Sequence, residues 1–113
     1  MKFFRSLVCL VTLFLSGCFQ AQEQEKSVPY KKLYENGKPQ ITGFKSQETG
    51  KSMGEWKYYD KNGQLKESGF FRNGKEHGEW NRYNRNGDII ATSYYSNGKN
   101  YRTIIPWESN SPF

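Results

Sequence analysis

The chain copies itself at a spacing of 24 residues, and this repeat constrains its fold more than any other feature. Residues 54–77 and 78–101 agree at nine positions, with Gly54/Gly78, Glu55/Glu79, Trp56/Trp80 and Tyr59/Tyr83 among them. The remaining matches are Asn62-Gly63/Asn86-Gly87 and Asn73-Gly74-Lys75/Asn97-Gly98-Lys99. Ordinary residue frequencies would supply about one or two by chance. A looser copy precedes these at an offset of 26, with Tyr30-Lys31, Asn36-Gly37 and Gly43-Phe44 answering Trp56-Lys57, Asn62-Gly63 and Gly69-Phe70. The offset returns to 24 at Gly50, so an insertion falls between Phe44 and Gly50, as in a lengthened turn tip. A period of this length marks small units that bury their apolar surface against their neighbours.

Each unit reads as two strands. Asn-Gly occurs at 36–37, 62–63, 73–74, 86–87 and 97–98, and the pair favours positive φ at both centres of a tight hairpin turn. Aromatic-rich stretches lie between the turns. Side chains alternate across a strand, so Trp56 and Tyr58 share one face while Tyr59 takes the other. No segment carries a 3.6-residue apolar stripe. Past residue 17 the chain has sixteen aromatic residues but few large aliphatics, chiefly Val28, Leu33, Ile41, Leu65, Ile89, Ile90, Ile104 and Ile105. Eight aliphatics do not fill the space between two sheets, whereas rings stacked along one sheet bury a large area each. The expected fold is therefore all-β: a single-layer antiparallel meander of stacked β-hairpin repeats over residues 30–107. Ile104 stands where a further unit would place Trp, so residues 101–107 should cap the array, with Pro106 blunting the open edge; residues 108–113 form a tail.

The first residues carry Lys2 and Arg5, and an apolar run follows over residues 7–15. It is shorter than the roughly 20 residues that cross a bilayer, so the pattern is that of an export signal. Leu15-Ser16-Gly17-Cys18 resembles the lipobox of bacterial lipoproteins. That resemblance implies cleavage before Cys18, a diacylglyceryl group on its thiol, and a lipid-anchored address in the cell envelope. Residues 1–17 are then the signal peptide, and residues 18–29 are the lipidated cysteine with a polar tether that extends to at most about 36 Å. Losing the signal lowers the net charge from +6 to +4. Cys9 leaves with the signal and Cys18 carries lipid, so no thiol remains for a disulfide, zinc or catalysis. Phe19 follows the cysteine where Asp would resemble an inner-membrane retention signal, which favours the outer membrane in a cell that has one.

The unit Gly-Glu-Trp-x-x-Tyr-(Asp/Asn)-(Lys/Arg)-Asn-Gly, closing on Asn-Gly-Lys-x-x-Gly, resembles MORN repeats, in particular their bacterial variant, across about residues 30–101. The resemblance implies β-hairpins stacked into an elongated sheet and a binding role. Many bacterial proteins built from such units resemble antitoxins or immunity proteins. Elsewhere the repeats are protein-binding scaffolds, and lipid binding has been proposed. Few units and a lipobox set this chain apart, so an immunity role would face a toxin acting in the envelope.

His77 alternates with Met53 and Tyr101 at its repeat position and reads as an exposed turn residue. Glu55 and Glu79 should lie on one face about 10 Å apart, each paired with a basic residue on a neighbouring strand. Gly54, Gly63, Gly74, Gly78, Gly87 and Gly98 are structural, and Gly54 and Gly78 suit positive φ or a close approach. Trp56, Tyr58, Tyr59, Trp80, Arg82 and Tyr83 are the candidate contact residues, because interface energy concentrates in Trp, Tyr and Arg; the same rings must also supply much of the core. Lys57, Lys61, Arg72, Lys75, Arg82 and Arg85 form a basic rim near the turns. No nucleophile–base pair, phosphate loop or metal-ligand set is visible. The expectation is a non-enzymatic binding module with no cofactor beyond covalent lipid. It would meet the membrane through its anchor and another envelope protein or a toxin through the sheet, with no role for nucleic acid. The alternative is a structural envelope lipoprotein whose sheet contacts anionic lipid or cell-wall polymer. Oligomeric state is left open.

Overall fold

The computed structural model describes residues 25–109; the signal, Cys18, most of the tether and the last four residues lie outside them. Seven strands form one antiparallel sheet in sequence order. They are β1 (Ser27–Leu33), β2 (Pro39–Ser46), β3 (Ser52–Tyr59), β4 (Leu65–Arg72), β5 (Lys75–Tyr83), β6 (Ile89–Ser96) and β7 (Lys99–Ile104). One turn of helix, α1 (Pro106–Ser109), follows and packs against β6. The meander is the expected one, with three hairpins and a seventh strand that opens a fourth unit. Two boundaries differ. The sheet begins at Ser27, three residues earlier than the repeat indicated. Pro106 starts α1 instead of lying along the edge; the proline in an edge strand is Pro29, on β1.

Asn-Gly makes two kinds of turn. Asn73 and Asn97 have φ of 51° and 49°, and Gly74 and Gly98 have 79° and 83°. These are the two-residue turns expected, and they join one unit to the next. Asn36, Asn62 and Asn86 do not have positive φ, which corrects the uniform expectation. They sit in five-residue loops, 34–38, 60–64 and 84–88, where only the glycine turns left-handed. In each loop the glycine N–H donates to the carbonyl of the first residue, and that residue's N–H donates to the carbonyl of the fifth. Asp60 Oδ1 accepts from the N–H groups of Asn62 and Gln64, and Asn84 Oδ1 from those of Asn86 and Asp88, at 2.9–3.0 Å. A short polar side chain thus takes up loop donors that would otherwise lack partners. The two extra residues of the first unit lie in the 47–51 connection.

Adjacent units are also tied at their turns. Gly74 N–H donates to Ser52 O at 2.9 Å and Gly98 N–H to Glu76 O at 2.8 Å. At the opposite ends of the strands, Asn36 Nδ2 donates to Lys61 O and Gln64 Nε2 to Arg85 O. Each bond reaches from one hairpin to the next, which is how a repeat array gains cooperativity from neighbours alone.

Candidate binding face

The two faces of the sheet hold different chemistry. On one, rings run across the strands in an unbroken line. Tyr30 lies 5.3 Å from Trp56, Trp56 5.5 Å from Phe71, Phe71 5.2 Å from Trp80, and Trp80 6.2 Å from Tyr95, centroid to centroid. The Trp–Phe contacts are edge-on, with interplanar angles of 71° and 90°, the geometry that aromatic quadrupoles favour. Trp56 and Trp80, each 5% exposed, are the two buried hydrophobic side chains among the described residues. This tryptophan face is the core.

Each indole covers a glycine on the preceding strand. A β-carbon on Gly43 would stand 2.2 Å from Trp56 Cδ2, and one on Gly69 would stand 2.0 Å from Trp80 Cδ2. The indole N–H groups then reach backbone: Trp80 Nε1 donates to Phe70 O, and Trp56 Nε1 to Phe44 O and Met53 O, all at 3.1 Å. Gly54 and Gly78 do carry positive φ, 70° and 76°, where the register on the preceding strand slips. The close approach of a ring, however, is at Gly43 and Gly69.

On the opposite face Phe44 and Phe70 stand in water, while Tyr59, Tyr83 and Tyr94 are half-buried, Tyr94 lying 6.3 Å from the exposed Tyr101 ring. Strand alternation and register place Phe44 beside Met53, Phe70 between Glu55 and His77, and Tyr94 between Glu79 and Arg102. Phe44 is 41% exposed and Phe70 49%. These residues occupy one repeat position on β2, β4 and β6. Lys57 Nζ bonds Glu55 Oε1 at 3.2 Å, and Asn81 Nδ2 donates to Glu79 Oε1 at 3.1 Å. Both partners sit two residues along the same strand, which corrects the expected cross-strand pairing. The Lys57 ammonium is held above its usual range by that hydrogen bond and by the carboxylate's charge. Around Phe44, an open groove of about 510 Å³ is lined by Pro29, Lys31, Thr42, Glu55, Lys57 and Tyr59 among others.

The six candidate contact residues divide between the faces. Trp56, Tyr58, Trp80 and Arg82 fall on the tryptophan face, while Tyr59 and Tyr83 fall on the phenylalanine face. Tyr58 packs on Trp80 at 6.2 Å and burial raises its hydroxyl pKa. Beside it, Glu67 is raised as well: burial dominates over the opposing attraction of Arg82, its cross-strand partner. Tyr83 OH and Ser68 Oγ share a hydrogen bond of 3.0 Å. His77 is half-buried within β5, opposite Phe70, and its Nδ1 is enclosed with no hydrogen-bond partner; it is not the exposed turn residue its variability suggested. Phe44 and Phe70 were absent from the candidate set, although their recurrence with Tyr94 at one repeat position was visible. Among the described residues, no three His, Cys, Asp or Glu side chains are grouped to hold a metal ion, and no helix is long and apolar enough to cross a membrane.

A hairpin array with a ring core on one side and partly exposed rings on the other defines a repeat-built single-sheet protein. Residues 54–73 and 76–97, most of the second and third hairpins, match the family model described as MORN repeat variant. MORN repeats are in general protein- or membrane-binding modules, of a non-catalytic kind. The first hairpin, β1–β2, lies outside the matched residues but shares their architecture. Comparison with curated proteins and with solved structures gave no match.

Proposed function

We propose that this chain is a cell-envelope binding module, exported and anchored by lipid on Cys18, whose phenylalanine face docks its ligand. The observation that carries this reading is the repeated exposure of Phe44 and Phe70, in line with Tyr94, on a face that the core does not use. Large side chains left in water at the same position of successive repeats cost solubility and add nothing to the core. Such a patch marks an interaction surface. Trp56 and Trp80 are committed to the fold and act on the ligand only by holding the strands together behind that face. A toxin-neutralising role is one form of this reading, in which the docked ligand is a toxin reaching the envelope.

Two measurements test it. Labelled fatty acid should enter the wild-type chain and not the Cys18→Ser variant. A photo-crosslinking residue at position 70 should form adducts in cells, and one at the exposed Arg82 on the other face should not. Adducts from position 82 alone would assign binding to the tryptophan face and overturn the proposal.

A further inference from the structure

We infer that the row Phe44, Phe70 and Tyr94 is a platform for an extended polysaccharide. This names the ligand class for the phenylalanine face and rests on that face being the docking surface. The three residues lie on alternate strands, so their backbones stand about 10 Å apart and the row spans about 20 Å. That step is close to one disaccharide of an extended 1,4-linked pyranose polymer. Successive sugars of like orientation would therefore meet successive rings. The C–H face of a pyranose is apolar and stacks on an aromatic side chain; its rim is a ring of hydroxyls that needs donors and acceptors.

Those groups alternate with the rings. Glu55 pairs across the strands with Phe70 and Glu79 with Tyr94. Lys57 and Asn81 adjoin the two carboxylates, and Lys31 and Thr42 line the groove at the Phe44 end. Charge on this row nearly balances overall, with Lys31, Lys57 and Arg102 set against Glu55 and Glu79. An anionic lipid surface calls for unopposed cations, and the centre of a protein–protein interface is depleted of charged residues. Nearly balanced charge beside exposed rings suits a ligand that is largely neutral and rich in hydroxyls. The surface is open and not a deep cleft, as a continuous chain running past it requires.

The test uses the full chain in detergent, sedimented with insoluble 1,4-linked N-acetylglucosamine polymer, with cellulose, with purified peptidoglycan, and with vesicles containing anionic phospholipid. Retention on at least one glycan is expected, competed by its soluble oligosaccharide and nearly unchanged by salt. Phe44→Ala/Phe70→Ala should lower retention by about tenfold or more. Its near-ultraviolet signal from Trp56 and Trp80 should match wild type, showing an intact core. Equal retention by that variant would overturn the inference, as would wild-type binding confined to vesicles and lost in salt. If no glycan retains the chain while position 70 crosslinks to protein in cells, the glycan assignment falls and the docking face stands.

Discussion

Gly69 lies beneath the Trp80 indole so closely that a β-carbon there would stand 2.0 Å from Cδ2 and 2.3 Å from Cε2. The fused bond of the ring occupies the space that any other residue's side chain would need. Trp80 is flanked by Phe71 and Tyr95 and fixed by its N–H bond to Phe70 O, so a shift away from Gly69 would break these contacts. Gly69→Ala should therefore destabilise the fold by about 3 kcal/mol through overpacking. Gly87→Ala should cost about 1 kcal/mol, because its only penalty is a left-handed backbone with open space around it. Urea unfolding of the two variants, followed by tryptophan fluorescence, checks the contrast. Similar losses at both sites would mean that the indole gives way.

The glycine–tryptophan pairing does not carry over to the end of the array. The offset of eleven from Gly69 to Trp80 would give Ser93 and Ile104 in the last unit. There β6 and β7 slip by one residue instead of two, so Thr103 stands opposite Ser93 and Ile104 opposite Thr92. The Ser93 and Thr103 hydroxyls bond at 3.0 Å where a glycine and an indole would otherwise meet. Ser93→Gly/Ile104→Trp should therefore not extend the ring line, and a double-mutant cycle in urea should return additive effects. A coupling of about 1 kcal/mol or more, the range for residues in contact, would show that the edge strand shifts register to take up the ring.

Much of this architecture was legible because the period itself is physical. A unit that recurs with its rings and its Asn-Gly pairs in register has to stack, and the scarcity of aliphatics rules out a second layer. The choice between rings was not legible. Trp56 and Phe70 look equally apolar in a list of residues, and only strand register shows that one lies over Gly43 while the other faces water. The role of Gly43 was hidden for the same reason: two extra residues on β3 bring Trp56 opposite it, and the slip is not written locally. The turn types did leave a mark. Asp60 and Asn84 stand two residues before Asn-Gly and cap the long loops, whereas Arg72 and Ser96 directly precede the tight ones. That difference separates the two turn types in the second and third hairpins, but not in the first, whose long loop begins with Tyr34.

Burial separates a test of folding from a test of binding. Trp56→Ala removes a ring that is 5% exposed and bridges Tyr30 and Phe71, and should cost about 3–5 kcal/mol. Phe70→Ala removes a half-exposed ring and should cost about 1 kcal/mol or less. Loss of ligand by Trp56→Ala would then report unfolding, whereas loss by Phe70→Ala would report contact. Thermal unfolding of both variants beside wild type checks the order, and a Phe70 loss as large as that of Trp56 would place Phe70 in the core.

Glu67 makes stability depend on pH in the direction opposite to that of a salt-bridged carboxylate. Burial raises its pKa in the folded chain above the unfolded value, and Arg82 only partly offsets this. The folded state therefore binds more protons than the unfolded state between the two pKa values. Across that window stability falls as pH rises, and the full penalty is present above the folded pKa. Glu67→Gln removes it. The variant should be more stable than wild type at neutral pH and lose that advantage below the unfolded carboxylate pKa. Urea midpoints measured from pH 4 to pH 7 check the sign, and an advantage that does not change with pH would show that the ionised carboxylate is not the cause.

The two kinds of Asn-Gly turn predict opposite responses to the same substitution. Asn73 sits at φ 51°, a conformation that costs an ordinary side chain about 1–2 kcal/mol. Asn73→Ala should be destabilising by about 1 kcal/mol, and Asn73→Gly close to neutral. Asn62 has no positive φ, and its contribution to the loop is a backbone N–H bonded to Asp60 Oδ1. Alanine supplies that N–H equally well, so Asn62→Ala should be nearly silent. The sensitive residue of that loop is Asp60, whose one oxygen accepts from both Asn62 and Gln64; Asp60→Ala should cost about 1–2 kcal/mol. Chemical denaturation of the four variants tests the set. Equal sensitivity at Asn62 and Asn73 would mean that both turns require a left-handed asparagine and that the long loops are wrongly described.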